Sequence, residues 1–579
     1  MAQKSKPQTP HKSSYRGFEG VDLKKTHSGD ESIALIENFR ISDDGSLKKR
    51  CGFKHVYMNN NGINQIHASF SLEENGIEVC YFAQGKYVKK YDSATTSVID
   101  VGTLHEEASR VFFFTYLDKL YVCDGYTIFK IEDNQICDAN FYIPLYGKDW
   151  NAFGGEVNEL PNLLWPKIAI HYNFSDNPST YLSLTSLNVS SVDAVFRNGE
   201  PLSKNQYSIH QEYNSITVPE CVAGDVFLAI INITPTEEYI SQRETLFNTS
   251  HTSIFPELNE NNLLFWGSNR SNAVYYSTCI NKENAAITDR YINNVRFYVP
   301  LNSFFTVASE SDRIKAFVRH YDRVLIMTEN STWITSLDDL ESKSLKIKSI
   351  NSDIGCIVDN GCVRIENTIF SVGKDAIYAW SSDTDELNEC NAYSISNPIK
   401  ALLSENFFKG CLIHLNYSER EIWFYAPNEG RVWIYSYNRK AWYSFSGFSP
   451  TAFLDGGKSV RFFENAELLA FDDSKYTDIR RGQESEIIAK LTSGELEFNS
   501  RFKKKLSSTI VKGSFSGGSL RLESLLDGKK RIVYYISPRS THSINLFRTK
   551  SGSFSSLSFD LIARGKGTQI IHGIEINAD

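Results

Sequence analysis

The sequence lacks the long apolar stretches that a membrane-spanning protein needs. Within its 579 residues, no run approaches the ~18 consecutive apolar residues of a transmembrane helix. The first residues carry basic side chains but not the apolar core of a signal peptide. These absences predict a soluble chain that does not insert into a membrane and is made in a cytoplasm.

A net positive charge is also missing. The chain has 61 Lys and Arg against 69 Asp and Glu, which gives a net charge of -8. Because contacts from Lys and Arg to phosphates dominate nucleic-acid affinity, this balance disfavours a DNA-gripping enzyme. The ten cysteines are scattered singly, without a C-x-x-C pair, which predicts reduced thiols in the core.

Motifs whose spacing carries a catalytic mechanism are absent. There is no P-loop, no G-x-S-x-G elbow, no G-x-G-x-x-G after a strand and no H-E-x-x-H. Cys356 and Cys362 flank a turn signal, CIVDNGC, and a metal site there is the less favoured interpretation. The acidic stretch 472–478 lacks the Gly and the bidentate Glu of a calcium loop. We therefore predict a non-enzymatic protein with no metal and no cofactor.

Aromatic side chains and short alternating strands are what the sequence does contain. Aromatic residues make up 13% and apolar residues 41% of the chain, so the composition of a disordered protein is excluded. Short runs of alternating apolar and polar residues, bounded by Gly, Asn, Asp and Ser, recur throughout. Apolar residues at three- and four-residue spacing are nearly missing. Together these patterns predict an all-β protein.

The predicted strands group into units of similar shape. Clear examples span residues 110–131, 314–334, 361–380 and 410–445, each with strands that end in aromatic residues before a polar loop. Repeats of about 40 to 50 residues with three or four short strands are typical of β-propeller blades, in which large aromatics pack between neighbouring sheets. We predict a β-propeller of about six blades. Five to seven blades fit the pattern, and a series of β-sandwiches without a ring is the alternative.

Two segments interrupt or follow these repeats. Residues 141–250 contain an Asn-Gly turn at 198–199 between alternating strands, which is a strong hairpin signal and predicts an inserted β-sandwich. Residues 483–579 form a separate run of alternating strands and predict a C-terminal β-sandwich. The propeller blades then occupy residues 17–140 and 251–482.

The N-terminal residues 1–16 have a composition of their own. They hold Lys4, Lys6, Lys12 and Arg16 with two prolines and no acidic residue. Such a segment has too little apolar surface to offset the entropy of ordering, so we predict a flexible basic arm. It is either a disordered terminus or an arm that orders against a partner.

A second basic stretch follows a Gly turn near the start of the chain. Its three charged residues lie at 48–50, and they form either a solvated hairpin tip or a docking site. Together with the arm, they make up the candidate partner-docking residues, namely Lys4, Lys6, Lys12, Arg16, Lys48, Lys49 and Arg50.

Several phrases of the sequence resemble a family of bacteriophage tail proteins. The opening phrases FEGVDL at 18–23, ENFRI at 37–41 and DGSLKKRCGF at 44–53 are similar to phrases that lead into a β-propeller in that family. Later phrases agree, namely LFWGS at 264–268, VYYS at 274–277, KAWY at 440–443 and, in the insert, NGEPL at 198–202. Cys51 stands where such proteins often have Pro.

The resemblance implies a structural virion protein, similar to the packaged-DNA stabilisation proteins of short-tailed phages. It implies a tail nozzle subunit, made in the bacterial cytoplasm, that forms a ring of six copies around the DNA exit channel, retains packaged DNA and gates its ejection. The implied partners are other copies of the chain, the portal and adaptor proteins, and the DNA in the lumen, without sequence-specific contacts. An acidic wall fits a conduit because it repels DNA phosphates.

Two other functions stay open at this point. One is a minor structural or receptor-binding tail protein of a long-tailed phage. The other is a propeller glycosidase acting on cell-surface polysaccharide, which needs paired carboxylates at one mouth of the propeller. The stretch 42–47 misplaces the Gly of the Ser-x-Asp-x-Gly-x-x-Trp turn and has no Trp. Most tryptophans lie in strand patterns, where packing explains them better than a carbohydrate platform does.

Overall fold

The structure is a computed structural model, and it is built mostly from short β-strands. This confirms the all-β prediction. It describes residues 11–23, 32–58, 66–108, 110–175, 177–184, 187–254, 262–320, 323–336, 346–381, 391–404, 406–427, 429–454, 459–465, 467–498, 503–536, 543–548 and 553–579.

The chain divides into two compact units. Unit 1 comprises Met1–Gln84, Tyr91–Ile99 and Ile354–Asp579, and unit 2 comprises Gly85–Lys90 and Asp100–Asp353. Each unit combines small sheets of four strands with a larger two-sheet assembly. In both units the apolar residues of successive strands form buried clusters rich in Phe, Tyr and Trp.

Small sheets of four strands are the recurring element of the described residues. Five of them are meanders of consecutive strands, with these bounds: Ile66–Glu74, Ile77–Gln84, Tyr87–Asp92 and Ser97–Thr103; Phe112–Tyr116, Lys119–Cys123, Ile128–Glu132 and Gln135–Asp138; His251–Ile254, Leu263–Trp266, Ala273–Tyr276 and Phe304–Thr306; Ile314–His320, Arg323–Thr328, Thr332–Ser336 and Lys348–Asn351; Cys362–Ile365, Thr368–Val372, Ile377–Ser381 and Asn391–Ser394. A further meander of four strands forms one end of a nine-stranded sheet, with the bounds Leu412–Asn416, Glu421–Tyr425, Arg431–Ser436 and Ala441–Ser446.

Tight turns explain why these segments fold back as hairpins. Two-residue connections with both residues at positive φ twist in the same sense as the strands they join. Leu117 and Asp118 have φ of 48° and 59°, and Asp133 and Asn134 have φ of 50° and 59°. The meanders therefore follow from local turn chemistry combined with alternating apolar residues.

Another four-stranded sheet joins distant parts of the chain. It consists of Ala452–Leu454, Arg461–Glu464 and Glu467–Asp472, and its fourth strand is Gly52–Met58, which runs antiparallel to Glu467–Asp472. Within unit 1, the first strands of successive sheets lie beside one another. A strand from near the N-terminus thus completes a sheet made from residues more than 390 positions later in the sequence.

Strands from residues 11–49 and from residues 489–578 meet in a pair of sheets that we call the terminal assembly. One sheet has the order Phe39–Ile41, Leu47–Lys49, Gln569–Ala578, Leu506–Phe515 and Ser543–Arg548, with His11–Arg16 also paired to Gln569–Ala578. The other continues the sheet of residues 412–446 through Ile33–Glu37, Ala489–Ser493, Leu557–Arg564, Ser519–Leu526 and Lys530–Ile536. The structure therefore differs from the predicted C-terminal module of 483–579, because N-terminal strands complete both sheets. Just before Ala489–Ser493 in the sequence, Thr477–Arg480 pairs with Gln483–Glu486 in a separate two-stranded sheet.

Residues 145–233 form a second two-sheet assembly, which we call the inserted module. Its five-stranded sheet has the order Leu145–Trp150, Lys167–Phe174, Asp225–Ile233, Val189–Arg197 and Glu200–Pro201. The three-stranded sheet has the order Tyr181–Ser183, Ser215–Thr217 and Ser208–His210. Side chains from both sheets share one buried cluster that includes Ile170, Leu182, Val195, Ile216 and Phe227.

Helices are short in the described residues. Helix Glu237–Phe247 begins at Thr236, whose side chain accepts a hydrogen bond from the Tyr239 amide, and helix Lys282–Thr288 begins at Asn281, which caps it similarly. Two 3-10 turns span Gln211–Tyr213 and Asn397–Leu402. Within the described part of the chain, no helix is long and apolar enough to cross a bilayer.

Candidate functional site

No three His, Cys, Asp or Glu residues among those described are grouped so that they hold a metal ion. The Cys356 thiol is buried and donates to the carbonyl oxygens of Val358 and Gly361, each 3.3 Å away. Burial raises the pKa of the Cys362 thiol. Among the described residues, these two cysteines therefore lie beside a turn and outside any metal-binding group.

Arg50 is held at the centre of a buried hydrogen-bond network. Its two Nη atoms bind the Asp478 carboxylate at 2.8 and 2.7 Å, and the two side chains are 1% and 5% exposed. Nε donates to Asn38 Oδ1 at 2.9 Å, and the remaining donors reach the carbonyl oxygens of Cys51 and Ser446. All five N–H donors of the guanidinium are thus satisfied within the chain.

Two of the three basic residues at 48–50 therefore hold parts of the fold together. The Lys49 ammonium donates to the Gly565 carbonyl oxygen at 2.5 Å, and burial lowers its pKa to about 8. Lys48 is exposed. The interpretation of Lys49 and Arg50 as a solvated hairpin tip or docking site is therefore corrected, because their charged groups are buried and engaged inside unit 1.

A second buried ion pair lies on the strands around Glu421, and the sequence analysis missed it. The Glu421 carboxylate accepts hydrogen bonds from Arg40 Nε at 2.6 Å, from Trp423 Nε1 at 2.8 Å and from the Tyr443 hydroxyl. Arg40 also contacts Glu419 at 3.0 Å. The signal that was available is an acid at the head of the apolar strand EIWFY, since a buried carboxylate requires a cationic partner.

The N-terminal segment is ordered where it is described. Strand His11–Arg16 pairs antiparallel with Gln569–Ala578, and the Tyr15 ring meets Phe559 edge-on at 5.5 Å. The prediction of a flexible arm is therefore wrong for residues 11–16, because a strand partner and a buried aromatic offset the entropy of ordering. Lys4 and Lys6 lie outside the described residues.

Glu575 is the acidic group that receives the basic residues of this segment. Its carboxylate lies 2.5 Å from Lys512 Nζ, 2.6 Å from Arg16 Nη2 and 3.3 Å from Lys12 Nζ. Hydrogen bonds from Lys512 first, and then from Arg16 and Lys12, lower the pKa of Glu575 to about 2. Lys12 and Arg16 thus meet an acidic group, as the docking interpretation required, but it belongs to their own chain.

The inserted module carries several exposed large apolar side chains, as does unit 1 at Tyr417 and Tyr535, which are each 70% exposed. Phe153 is 90% exposed and Tyr213 is 70% exposed. Other large apolar residues of residues 151–222 that are exposed are Val157, Leu160, Tyr181, Ile209 and Val222. Monomeric surfaces tolerate isolated apolar groups, but several on one module indicate an interaction surface. The sequence analysis missed these residues because alternation does not separate an exposed apolar position from a buried one.

No protein-family model and no curated protein matches the chain. Solved structures are similar to it at low scores. The AfRom2 CNH domain has a TM-score of 0.35 and 8% identity, over 73% of this chain and 99% of that one. Kluyveromyces lactis Hsv2 has a TM-score of 0.26 and 9% identity, over 66% and 97%. The extracellular domain of BT4673 from B. thetaiotaomicron has a TM-score of 0.24 and 9% identity, over 95% and 97%. Similarities at this level carry no functional inference.

Proposed function

We propose that this chain is a structural subunit of a bacteriophage tail nozzle, which forms a ring around the DNA exit channel, retains the packaged DNA and gates its ejection. The observation that carries the proposal is the pairing of strands from residues 11–58 with strands from residues 452–578 in the sheets of unit 1. The strand Gly52–Met58 completes the sheet of residues 452–472, and His11–Arg16 pairs with the last strand. Pairings between strands so far apart in sequence hold the sheets together, as a wall that withstands packaged DNA requires.

The same pairing supports a closed propeller. We propose that the six four-stranded sheets and the four-stranded meander of residues 412–446 are its blades, which gives one blade more than the predicted number of about six. In a propeller, a strand from one end of the chain commonly completes the blade at the other end, which protects the edges of the ring. The pairing of Gly52–Met58 with Glu467–Asp472 is of this kind.

Buried charges in the described residues support a scaffold better than a glycosidase. Asp478 and Glu421 are both neutralised by arginines within the fold. A glycosidase needs two carboxylates that are free to act as acid and as nucleophile or base. These two carboxylates are instead committed to holding strands together.

The proposed partners follow from ring assembly. Six copies of a chain in a ring contact one another through heterologous surfaces, in which different faces of the two neighbours meet. The portal and adaptor proteins lie above the ring, and the DNA passes through the lumen without sequence-specific contacts. The net charge of -8 keeps phosphates from adhering to the wall. The mature location is the virion tail.

Particles made without this chain test the proposal. A phage with the gene deleted, grown on cells with or without a plasmid copy, gives matched preparations. We expect the deletion to yield heads that lose their DNA, and the plasmid copy to restore filled heads. Full heads that adsorb and eject normally without the chain would contradict the proposal.

A receptor-binding tail protein is the second candidate. The observation that favours it is the exposed Tyr213, with Ile209 and Tyr181, on the inserted module. Particles that lack such a protein retain their genome and fail to adsorb. The same deletion experiment therefore separates the two functions.

A further inference from the structure

The basic residues of the chain are concentrated in two short segments. Residues 1–16 and 501–550 contain 16 of the 61 Lys and Arg residues, but only two of the 69 Asp and Glu residues, namely Glu523 and Asp527. These two segments therefore carry a net charge of +14, and the rest of the chain carries -22. The overall charge of -8 is thus the sum of a strongly basic part and an acidic remainder.

The fold brings described parts of both segments into one sheet of the terminal assembly. The last strand, Gln569–Ala578, pairs with His11–Arg16 and, along its other edge, with Leu506–Phe515. Ser543–Arg548 follows as the outer strand beside Leu506–Phe515. Two basic segments that lie some 500 positions apart in the sequence are therefore neighbours in the folded chain.

Cations outnumber carboxylates on the solvent side of this sheet. Nitrogen atoms of Lys12, Arg16 and Lys512 lie 3.3, 2.6 and 2.5 Å from the carboxylate of one residue, Glu575, so all four side chains are on the same side. We call these four residues the basic face. The three cations are 55%, 65% and 36% exposed, whereas the Glu575 side chain is 7% exposed. Three accessible cations thus share one covered carboxylate, which leaves two positive charges in surplus.

The two acids within residues 501–550 are engaged inside the chain. Glu523 pairs with both Arg521 and Arg531. Asp527 Oδ1 accepts hydrogen bonds from the amides of Ser555 and Ser556 at 2.7 and 2.9 Å. Neither carboxylate is therefore available to a cation of a partner, and an anionic partner is favoured.

Two further carboxylates lie at the borders of the sheet. Asp44 Oδ1 accepts hydrogen bonds from the Ser46 amide and hydroxyl at 2.9 and 2.7 Å, and the exposed Lys48 follows in the next strand. Asp579 follows the last strand, and its amide and carbonyl exchange hydrogen bonds of 2.8 Å with Lys505, which is exposed. Each of these acids has an exposed lysine close to it, so the surplus on the basic face remains.

The side chains around the cations indicate which anion fits. Asn577 and Ser508 lie opposite Lys12 in the strand register, and Asn577 Nδ2 donates to Ser508 Oγ at 3.0 Å. None of the described side chains on His11–Arg16, Leu506–Phe515 and Gln569–Ala578 is an exposed large apolar group. Protein interfaces are anchored by buried aromatic or aliphatic side chains, and peripheral membrane binding adds inserted apolar groups to cations. Phosphate contacts to DNA come instead from Lys, Arg, Ser and Asn side chains.

We propose that the basic face binds the phosphate backbone of double-stranded DNA without reading its sequence. Lys12, Arg16 and Lys512 contact phosphates, so the affinity falls steeply as salt is added. The inference rests on the proposed function only for the source of the DNA, which is then the packaged genome. The acidic remainder of the chain repels phosphates while this face holds them, so sliding and retention belong to different parts of the molecule.

Fluorescence anisotropy of the purified full-length chain with a labelled duplex of about 30 base pairs tests the proposal, over about 50 to 200 mM salt. We expect the double variant Lys12→Gln with Arg16→Gln to bind about tenfold more weakly at the lowest salt. The slope of log affinity against log salt should become shallower by about 2, which corresponds to two lost phosphate contacts. Lys512 still pairs with Glu575 in this variant, so its urea midpoint should match that of wild type.

A second double variant, Lys54→Gln with Arg270→Gln, is the matched control. Each of its two cations is 53% exposed and pairs with one acid, as on the basic face, and the net charge changes by the same amount. We expect it to keep the affinity of wild type within about twofold, because neither residue lies on the basic face.

Several outcomes would overturn the proposal. These are no binding of the duplex, an equal loss in both double variants, displacement of the duplex by polyglutamate as readily as by unlabelled DNA, or equally strong binding to phosphatidylglycerol vesicles. In each case, heads that lose their DNA when the gene is deleted still support the nozzle. Conversely, full heads without the chain would contradict the nozzle and leave DNA binding by the basic face in place.

Discussion

The terminal assembly and the inserted module are both pairs of sheets around an apolar core, but they are put together differently. The inserted module uses strands that follow one another between residues 145 and 233. The terminal assembly pairs strands from residues 11–49 with strands from residues 489–578. All strand pairings of the first lie within residues 145–233. The second must bring together segments that are more than 450 positions apart in sequence, which is slower and entropically more costly.

The two assemblies also differ in what is buried near their strands. The Arg50–Asp478 pair is nearly inaccessible and lies beside strands of the terminal assembly. The inserted module relies on an apolar cluster, and its Arg197–Asp225 pair, with a distance of 2.7 Å, lies at its surface end with Arg197 partly exposed. A buried pair specifies one arrangement of strands, because breaking it leaves an unpaired charge. Unit 1 should therefore be sensitive to single charge changes, and the inserted module to cavities.

The largest effect is expected for Arg50→Met. Removing one partner of a buried ion pair costs about 4 kcal/mol, so the urea midpoint should fall. Hydrogen exchange should accelerate in Gln569–Ala578 but not in Asp225–Ile233. The double variant Arg50→Met with Asp478→Leu should recover much of the loss, and Lys48→Met, at an exposed position, should stay within about 0.5 kcal/mol of wild type. Equal effects of the Arg50 and Lys48 substitutions on stability would contradict the claim that unit 1 depends on its buried ion pair.

A cavity in the inserted module should accelerate hydrogen exchange in that module and leave the terminal assembly protected. Ile170 is fully buried in the cluster shared by the two sheets, so Ile170→Ala is expected to cost about 3 kcal/mol. Hydrogen exchange should accelerate in Lys167–Phe174 and Asp225–Ile233 while Gln569–Ala578 keeps its protection. Uniform acceleration across both strands would show that the two assemblies unfold together.

Two truncations measure how much the strand His11–Arg16 contributes to the stability of the protein. Deleting residues 1–16 removes a strand and the buried Tyr15, and is expected to lower the free energy of unfolding by about 2 kcal/mol. Deleting residues 1–10 leaves that strand intact and should have little effect on unfolding. Differential scanning calorimetry of the two variants checks this, and identical thermograms would restore the interpretation of residues 1–16 as a flexible arm.

The smallest effect concerns the pH dependence of Glu575. The carboxyl group has a lowered pKa of about 2 in the folded protein, so it stabilises the fold above its ordinary pKa of 4.5 and loses that contribution as the pH falls towards 2. Its partners are partly exposed, which limits the contribution to about 1 kcal/mol. Urea unfolding at pH 6 and pH 3 should therefore show a smaller acid loss for Glu575→Gln than for wild type. A parallel loss in both would contradict the assignment.

The local sequence pattern predicted strands and tight turns in short segments of the chain. Alternation predicted the many small sheets, and the Asn198-Gly199 turn is present with φ of 53° and 96°, as its hairpin signal required. Both features depend on neighbours in sequence. The strands of the inserted module all lie between residues 145 and 233, inside the range 141–250 predicted for an inserted β-sandwich.

Long-range pairings were not predictable in the same way. Nothing in the sequence of His11–Arg16 distinguishes a disordered basic tail from an edge strand, because its partner lies more than 550 residues away. Likewise, the run of three basic residues at 48–50 is uniform in sequence, yet Lys49 and Arg50 are buried and Lys48 is exposed. Which charge is buried is decided by carboxylates and carbonyls from distant strands.

Electron cryo-microscopy of the tail of intact particles tests the nozzle most directly. We expect a ring of six copies of this chain at the end of the tail, around a channel that holds the terminal segment of DNA before ejection. Density for the chain at the periphery of the tail, away from the channel, would contradict it.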